Sequence, residues 1–401
     1  MAVQVESVLS QEIYPVKGVR LATAAAALRY RNRDDLALIA IDEGATVLAA
    51  FTQNVFAAAP VLVCREHLGQ ANPRALLINS GIANAGTGEK GKIAAYHSCQ
   101  LLAQALALTP ECILPFSTGI IMQIPDVHKI AAALPSLICS LHEDHWQKAA
   151  KAIMTTDTLP KVVSLKVPMQ EGEITITGMA KGVGMIQPNM ATLLSFIATD
   201  AKIQPGKLQT IFHDILRQSF NAISVDGDTS TNDSCVLIAS GQGPNVGENE
   251  VSLFKKALLE VFQRLAWACV RDGEGATKFI TLKITGGKDA DSCFKVARSI
   301  ANSPLVKTAF FASDPNLGRI LAAAGNACVA FDPQKVSLKL GDLDVLIKGN
   351  LLDYREEEAQ AMMAKEVFTI TLDLGQGDAT ASFWTCDFSY DYVRINAEYR
   401  S

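Results

Sequence analysis

Along the first half of the chain, short apolar runs bounded by turn residues alternate with stretches of helical spacing. Residues 36–42 (LALIAID) and 75–80 (ALLINS) read as buried strands. Residues 91–108 and 125–142 place their apolar positions at helical spacing. Alternation returns at 162–167, with 173–179 as its expected partner strand. From 193 to 198 only Ser195 is polar, so a buried strand or helix is expected there. Residues 205–220 then read as a helix carrying His213, 234–241 as a strand, 249–272 as a long helix and 280–284 as a strand.

The pattern shifts at Gly286. A turn-rich start, GGKDADSC, runs into a helix, and 336–348 and 366–387 are rich in strand formers, with GQGDA at 375–379 expected as a hairpin turn. A boundary between a larger and a smaller region is placed near Gly286. No internal repeat or low-complexity linker divides the chain. Strands that look antiparallel, mixed with helices, imply a layered α+β fold. With 401 residues the chain is long enough for two or more packed layers. Its 49% hydrophobic and 19% charged residues exclude a disordered protein. A net charge of −5 gives no support for a nucleic-acid binder, and the one basic cluster, 29–33 (RYRNR), is followed at once by Asp34 and Asp35.

The densest chemistry lies in 181–201, KGVGMIQPNMATLLSFIATDA. Gly182 and Gly184 suit unusual backbone angles, and Pro188 and Asn189 extend the turn. The loop then enters an apolar segment with Thr192 at the junction. A hydroxyl held against its own preceding carbonyl permits an N-to-O acyl shift, and chain cleavage at Ala191-Thr192 would leave Thr192 as a new N-terminus. A threonine hydroxyl is a weak nucleophile without a base. A free α-amine titrates near pKa ~7.7–8.0, so an N-terminal threonine carries its own general base. The plain alternative is a β-branched residue in a buried strand.

The segment KG-x-GMI-x-PNMAT followed by L-x-FIATDA resembles the self-cleavage site of the ornithine acetyltransferases, also called glutamate N-acetyltransferases. STG at 117–119, MTTDT at 154–158, DGDTSTND at 226–233, DGEGATK at 272–278, SDPN at 313–316 and YVRINAEYRS at 392–401 resemble the same family, in its order. The resemblance implies an α/β/β/α sandwich with a smaller second domain, of the self-cleaving N-terminal-threonine acyltransferase type. It implies two fragments, 1–191 and 192–401, sharing core layers to about 285, a smaller region over about 286–390 and a tail returning to the site.

The implied reaction moves acetyl from N-acetylornithine to glutamate through an acetyl-Thr192 intermediate, with acetyl-CoA admitted as a second donor. Thr118 and Gly119 take the place of the family's oxyanion hole. Thr155, Lys181, Thr192, Glu274, Asn396 and Ser401 match its substrate contacts, with Thr156 adjacent to Thr155 as the competing choice. No cofactor or metal is implied, and the expected assembly is a heterotetramer of two copies of each fragment. The chain departs from the family at three places. Ile82 replaces an asparagine, Met122 a glycine and Leu317 a tryptophan. The competing function is a self-processing amidase or aminopeptidase of related fold, in which water resolves the acyl-enzyme; a non-catalytic binding protein is the third reading.

Other motifs fall away. As a calcium loop, 226–237 would need Gly and Glu where Thr231 and Leu237 stand. The glycine-rich 79–88 has the make-up of an anion cradle but lacks a Walker signature. His142 and His145 bracket two acids and read as a solvated face. The nine cysteines form no C-x-x-C and are expected as reduced thiols. The N-terminus does not read as a signal peptide and no run approaches ~18 apolar residues, so the cytoplasm is the expected compartment.

Overall fold

The computed structural model describes residues 3–187 and 193–398. Three sheets organise these residues. The first contains Val19–Ala24, Leu36–Ile41, Ala75–Ile82 and Ile113–Ile120, in that spatial order. The second runs Thr46–Phe51, Ser234–Ala239, Leu194–Thr199, Gly172–Lys181, Lys161–Met169. The third has seven strands, with Phe279–Gly287 near its middle.

The side-chain period of two explains how the layers stack. In the first sheet, Ala37 and Ile39 face the second sheet, where Val236, Ile238, Phe196 and Ala198 meet them. Leu36 and Leu38, one residue out of step, pack with Cys99, Leu102, Leu134 and Leu137 of the helices Gly88–Leu106 and Val127–Cys139. In the second sheet, Cys235, Leu237 and Ile197 point the other way, onto Phe212, Leu258, Phe262 and Leu265 of the helices Pro205–Arg217 and Val251–Arg271. The order is therefore helices, sheet, sheet, helices, as the family resemblance implied. Leu36–Ile41 reads as a continuous apolar run because both its faces are covered. Each large side chain so buried contributes about 1.5–3 kcal/mol, which fixes the register against a one-residue slip.

Leu194–Thr199 resolves the strand-or-helix question in favour of a strand, central in its sheet and buried at every position. The GQGDA turn differs from expectation. The strands on either side, Val367–Asp373 and Ala379–Cys386, do not pair with each other; both pair with Phe279–Gly287, which lies between them. Gln376 and Gly377 donate their N–H groups to the Gly286 carbonyl, so the turn passes around the end of that central strand. All nine cysteines are unbridged, and six of them are buried. Among the described residues no helix is long and apolar enough to cross a membrane.

Candidate active site

The strand Ile113–Ile120 carries Thr118 and Gly119 to the edge of a cavity of about 280 Å³. Its parallel partner Ala75–Ile82 loses register at Gly81 and Ile82. There Gly119 has φ 126°, and a Cβ on it would stand 2.2 Å from the Gly81 carbonyl carbon. Only glycine lets the two backbones close at this point. Just beyond, Met122 has φ 65°, in the left-handed region. That explains physically why glycine is usual there; the methionine side chain is turned out to solvent, 73% exposed. Ile82 is buried and packs in the core, and its carbonyl accepts from the Asn79 side-chain amide.

Lys181 ends the strand Gly172–Lys181 and sends its ammonium into the cavity. Nζ donates to Thr155 Oγ1 at 2.8 Å and Thr118 Oγ1 at 3.1 Å, and lies 3.9 Å from Asp157 Oδ2. Burial lowers its pKa, and the Asp157 carboxylate opposes that shift. Asp157 itself accepts from the backbone N–H groups of Thr155 and Gly182, and from Lys161 Nζ at 2.7 Å. Lys161 is fully buried and reaches Asp272 Oδ2 at 2.6 Å on its other side. Asp272 in turn accepts from the N–H and hydroxyl of Thr158. Burial alone would push Asp157 up and Lys161 down. The pairing outweighs it, holding Asp157 well below the usual carboxylate range and Lys161 above the usual lysine range.

This buried lysine between two carboxylates ties together the segments that bear Thr155, Thr156, Lys181 and Glu274. Sequence reading missed all three of its members. Its signal was an acid inside each of two motifs, MTTDT and DGEGATK, with a lysine opening a strand just before the apolar pair Val162 and Val163.

At the other end of the cavity stands Glu274. Thr156 Oγ1 donates to its Oε1 at 2.8 Å, and Asn396 Nδ2 to its Oε2 at 2.9 Å. Both Thr155 and Thr156 line the cavity, one on Lys181 and the other on Glu274. A Cβ on Gly184 would come within 2.4 Å of Glu274 Oε2, so this glycine leaves room for the carboxylate. Burial raises the Glu274 pKa, against the two hydrogen bonds. Asn396 arrives on the helix Tyr390–Ala397. Ser389 caps that helix and donates to the Gly275 carbonyl, and Phe388 stacks on Tyr392 at 4.7 Å.

The loop 226–233 braces the approach to the cavity. Asp226 accepts from the N–H groups of Met185 and Ile186, and Thr229 Oγ1 donates to the Gln187 carbonyl. Asn232 donates to the carbonyls of Ala83 and Ser117. Thr231, Asn232 and Leu193 line the cavity. In the glycine-rich segment 79–88, the Asn79 and Asn84 side chains bond within the segment and to Ser117 and the Gly91 carbonyl. SDPN also lies elsewhere. Its Ser313 accepts from the buried Lys278 ammonium, and Leu317 beyond it packs into the core.

The fold therefore brings together Thr118, Gly119, Thr155, Lys181, Glu274 and Asn396. Ala191, Thr192 and Ser401 lie outside the described residues. A layered α+β protein with hydroxyl, ammonium and carboxyl groups converging on one cavity has the make-up of an acyltransferase. The chain belongs to the ArgJ family, whose model matches residues 20–401. The "Arginine biosynthesis bifunctional protein ArgJ" of Psychrobacter arcticus is 48% identical over 398 residues, 98% of each chain. That of Methylococcus capsulatus is 49% identical over 393 residues, 96% of each. Among solved structures, the ArgJ protein of Bacillus halodurans is 38% identical with TM-score 0.48, over 50% of this chain and 96% of that one. Ornithine acetyltransferase of Mycobacterium tuberculosis, complexed with ornithine, is 34% identical with TM-score 0.41, over 44% and 94%.

Proposed function

We propose that this protein transfers acetyl from N2-acetylornithine to glutamate in two steps, for arginine biosynthesis. In the first, Thr192 Oγ attacks the acetyl carbonyl, the amide C–N bond breaks, and ornithine leaves with the proton taken from the hydroxyl. In the second, the glutamate α-amine attacks the acetyl ester, the C–O bond breaks, and the threonine hydroxyl is regained. Thr118 and the Gly119 N–H serve each tetrahedral oxyanion. Transfer requires cleavage at Ala191-Thr192, giving fragments 1–191 and 192–401. The assembly that goes with this reading is two copies of each fragment.

The observation that carries it is the placement of Lys181 Nζ between the Thr118 and Thr155 hydroxyls, in a cavity that Glu274 and Leu193 also line. An ammonium for an α-carboxylate and a carboxyl for a side-chain amine stand in one site beside the expected oxyanion donor. Leu193 follows Thr192 in the chain, which supports placing the nucleophile here. Family membership and the names of the relatives favour transfer over hydrolysis. Acetyl-CoA as a second donor draws support from the word "bifunctional" in those names. Nine unbridged cysteines fit the reducing cytoplasm.

The test is acetyl transfer to glutamate from N-acetylornithine and, separately, from acetyl-CoA. Transfer from N-acetylornithine is expected; release of acetate to water alone would favour the amidase reading. Lys181→Ala is expected to raise KM for N-acetylornithine and for glutamate alike, since each presents an α-carboxylate. Losing a charged hydrogen bond costs about 1.5–3 kcal/mol, or roughly tenfold and upward in KM. Unchanged KM values in folded, cleaved protein would remove Lys181 from the binding site.

A further inference from the structure

The two-step transfer sets an electrostatic problem at the Glu274 end of the cavity. Ornithine and glutamate have the same α-amino-acid head but opposite side-chain charges. With both heads on Lys181 and the acyl centre fixed, both side chains reach the same place. A permanently ionised carboxylate there attracts the ornithine ammonium and repels the glutamate γ-carboxylate. A permanent cation would do the reverse.

We propose that Glu274 is the residue that lets one site take both side chains, by binding ornithine as a carboxylate and glutamate as a carboxylic acid. This rests on the function proposed above. The geometry is what the exchange needs. Glu274 is buried, 8% exposed, and among the described residues no cation is ion-paired to it. Its two polar partners, the Thr156 hydroxyl and the Asn396 amide, are neutral, one on each oxygen. Each oxygen therefore keeps acceptor capacity for a ligand ammonium or for a proton.

The contrast with Asp157 in the same site is informative. That carboxylate is clamped by the ammoniums of Lys161 and Lys181 and two backbone N–H groups, so it stays ionised. Glu274 has no such clamp. The charged groups facing it are Lys181 across the cavity and Asp226 in the loop beside it, which oppose each other; Tyr392, on the same helix as Asn396, bonds to Asp226. Burial favours the neutral acid.

With glutamate bound, one proton is shared between the Glu274 carboxyl and the substrate γ-carboxyl. Two carboxyl groups in contact do not both ionise, and one pKa of such a pair rises strongly. Where Glu274 is ionised in the free site, glutamate binding takes up a proton from solvent. N-acetylornithine, bringing its own positive charge, takes up none.

A ping-pong enzyme exposes each half-reaction to isotope exchange. Ornithine exchange into N-acetylornithine reports the first, and glutamate exchange into N-acetylglutamate the second. In the unaltered enzyme, glutamate exchange should fall relative to ornithine exchange as pH rises through neutrality. Glu274→Gln, isosteric and unable to ionise, should lower ornithine exchange about tenfold or more, as expected for loss of a charged hydrogen bond. Its ratio of glutamate to ornithine exchange should rise and lose its pH dependence. Parallel pH profiles in the unaltered enzyme would overturn the proposal, and this measurement needs no variant. Equal loss of both exchanges in Glu274→Gln would overturn it too. Absence of both exchanges from the unaltered, cleaved enzyme would instead overturn the two-step transfer.

Discussion

Thr192→Ala is expected to give one uncut chain with no acetyl transfer. The same hydroxyl serves first in the N-to-O acyl shift and then as acetyl acceptor, so both functions disappear together. The second loss has an electrostatic side. Without cleavage there is no free α-amine at this position, and the amine is the base that a threonine nucleophile needs. Thr192→Ser keeps the hydroxyl but loses the methyl that restricts χ1, and should retain part of each function. Intact mass under denaturing conditions reads cleavage, with the unaltered protein separating into fragments 1–191 and 192–401. Incubation with N-acetylornithine and no glutamate should add one acetyl group to the fragment that begins at Thr192. Acetyl on a cysteine or lysine, with Thr192→Ala still turning over, would defeat the mechanism even though the family stands.

What the sequence made legible follows physical range. The continuous apolar run Leu36–Ile41 marks a strand covered on both faces, whereas the largely apolar 193–198 marked burial without deciding strand from helix; the layering follows from the alternate contacts of such strands. The pairing of the third sheet was not legible at the GQGDA turn. Turn residues specify a reversal of the chain; they do not specify whether a third strand enters between the two arms, which Phe279–Gly287 does. Gly119 was marked as an expected donor by the resemblance that STG carries. The reason it must be glycine depends on Gly81, thirty-eight positions away, and is visible only when the two strands meet. The buried Lys161 between Asp157 and Asp272 is of the same kind. A lysine at a strand start is ordinary in sequence, and its partners are set by tertiary packing. Met122 is the reverse case: its departure from the family was visible at once, and only the structure shows the positive φ at that position, which accounts for the usual glycine rather than for the methionine.

Thr118→Ala is expected to lower kcat by ~10²–10³ with a smaller change in KM, as for removal of one oxyanion donor. The hydroxyl accepts from Lys181 Nζ at 3.1 Å, which leaves its own hydrogen free to point toward the reacting carbonyl oxygen. An ammonium on the far side of a donor also strengthens it, because a hydroxyl that accepts from a cation gives its own hydrogen more readily. Deleting the hydroxyl has a second consequence, which the kinetics separate. Lys181 keeps Thr155 as acceptor at 2.8 Å and Asp157 at 3.9 Å, so its ammonium stays in the cavity and substrate carboxylates still bind. If Thr118 served only to place Lys181, KM for both substrates would rise and kcat would change little. If it stabilises the oxyanion, kcat falls and Thr118→Ser restores most of it, since serine returns the hydroxyl without the methyl. Cleavage of the chain should slow as well, because the acyl shift at Thr192 passes through an oxyanion of its own. A folded, cleaved Thr118→Ala protein with unaltered kcat would exclude this hydroxyl from the oxyanion site.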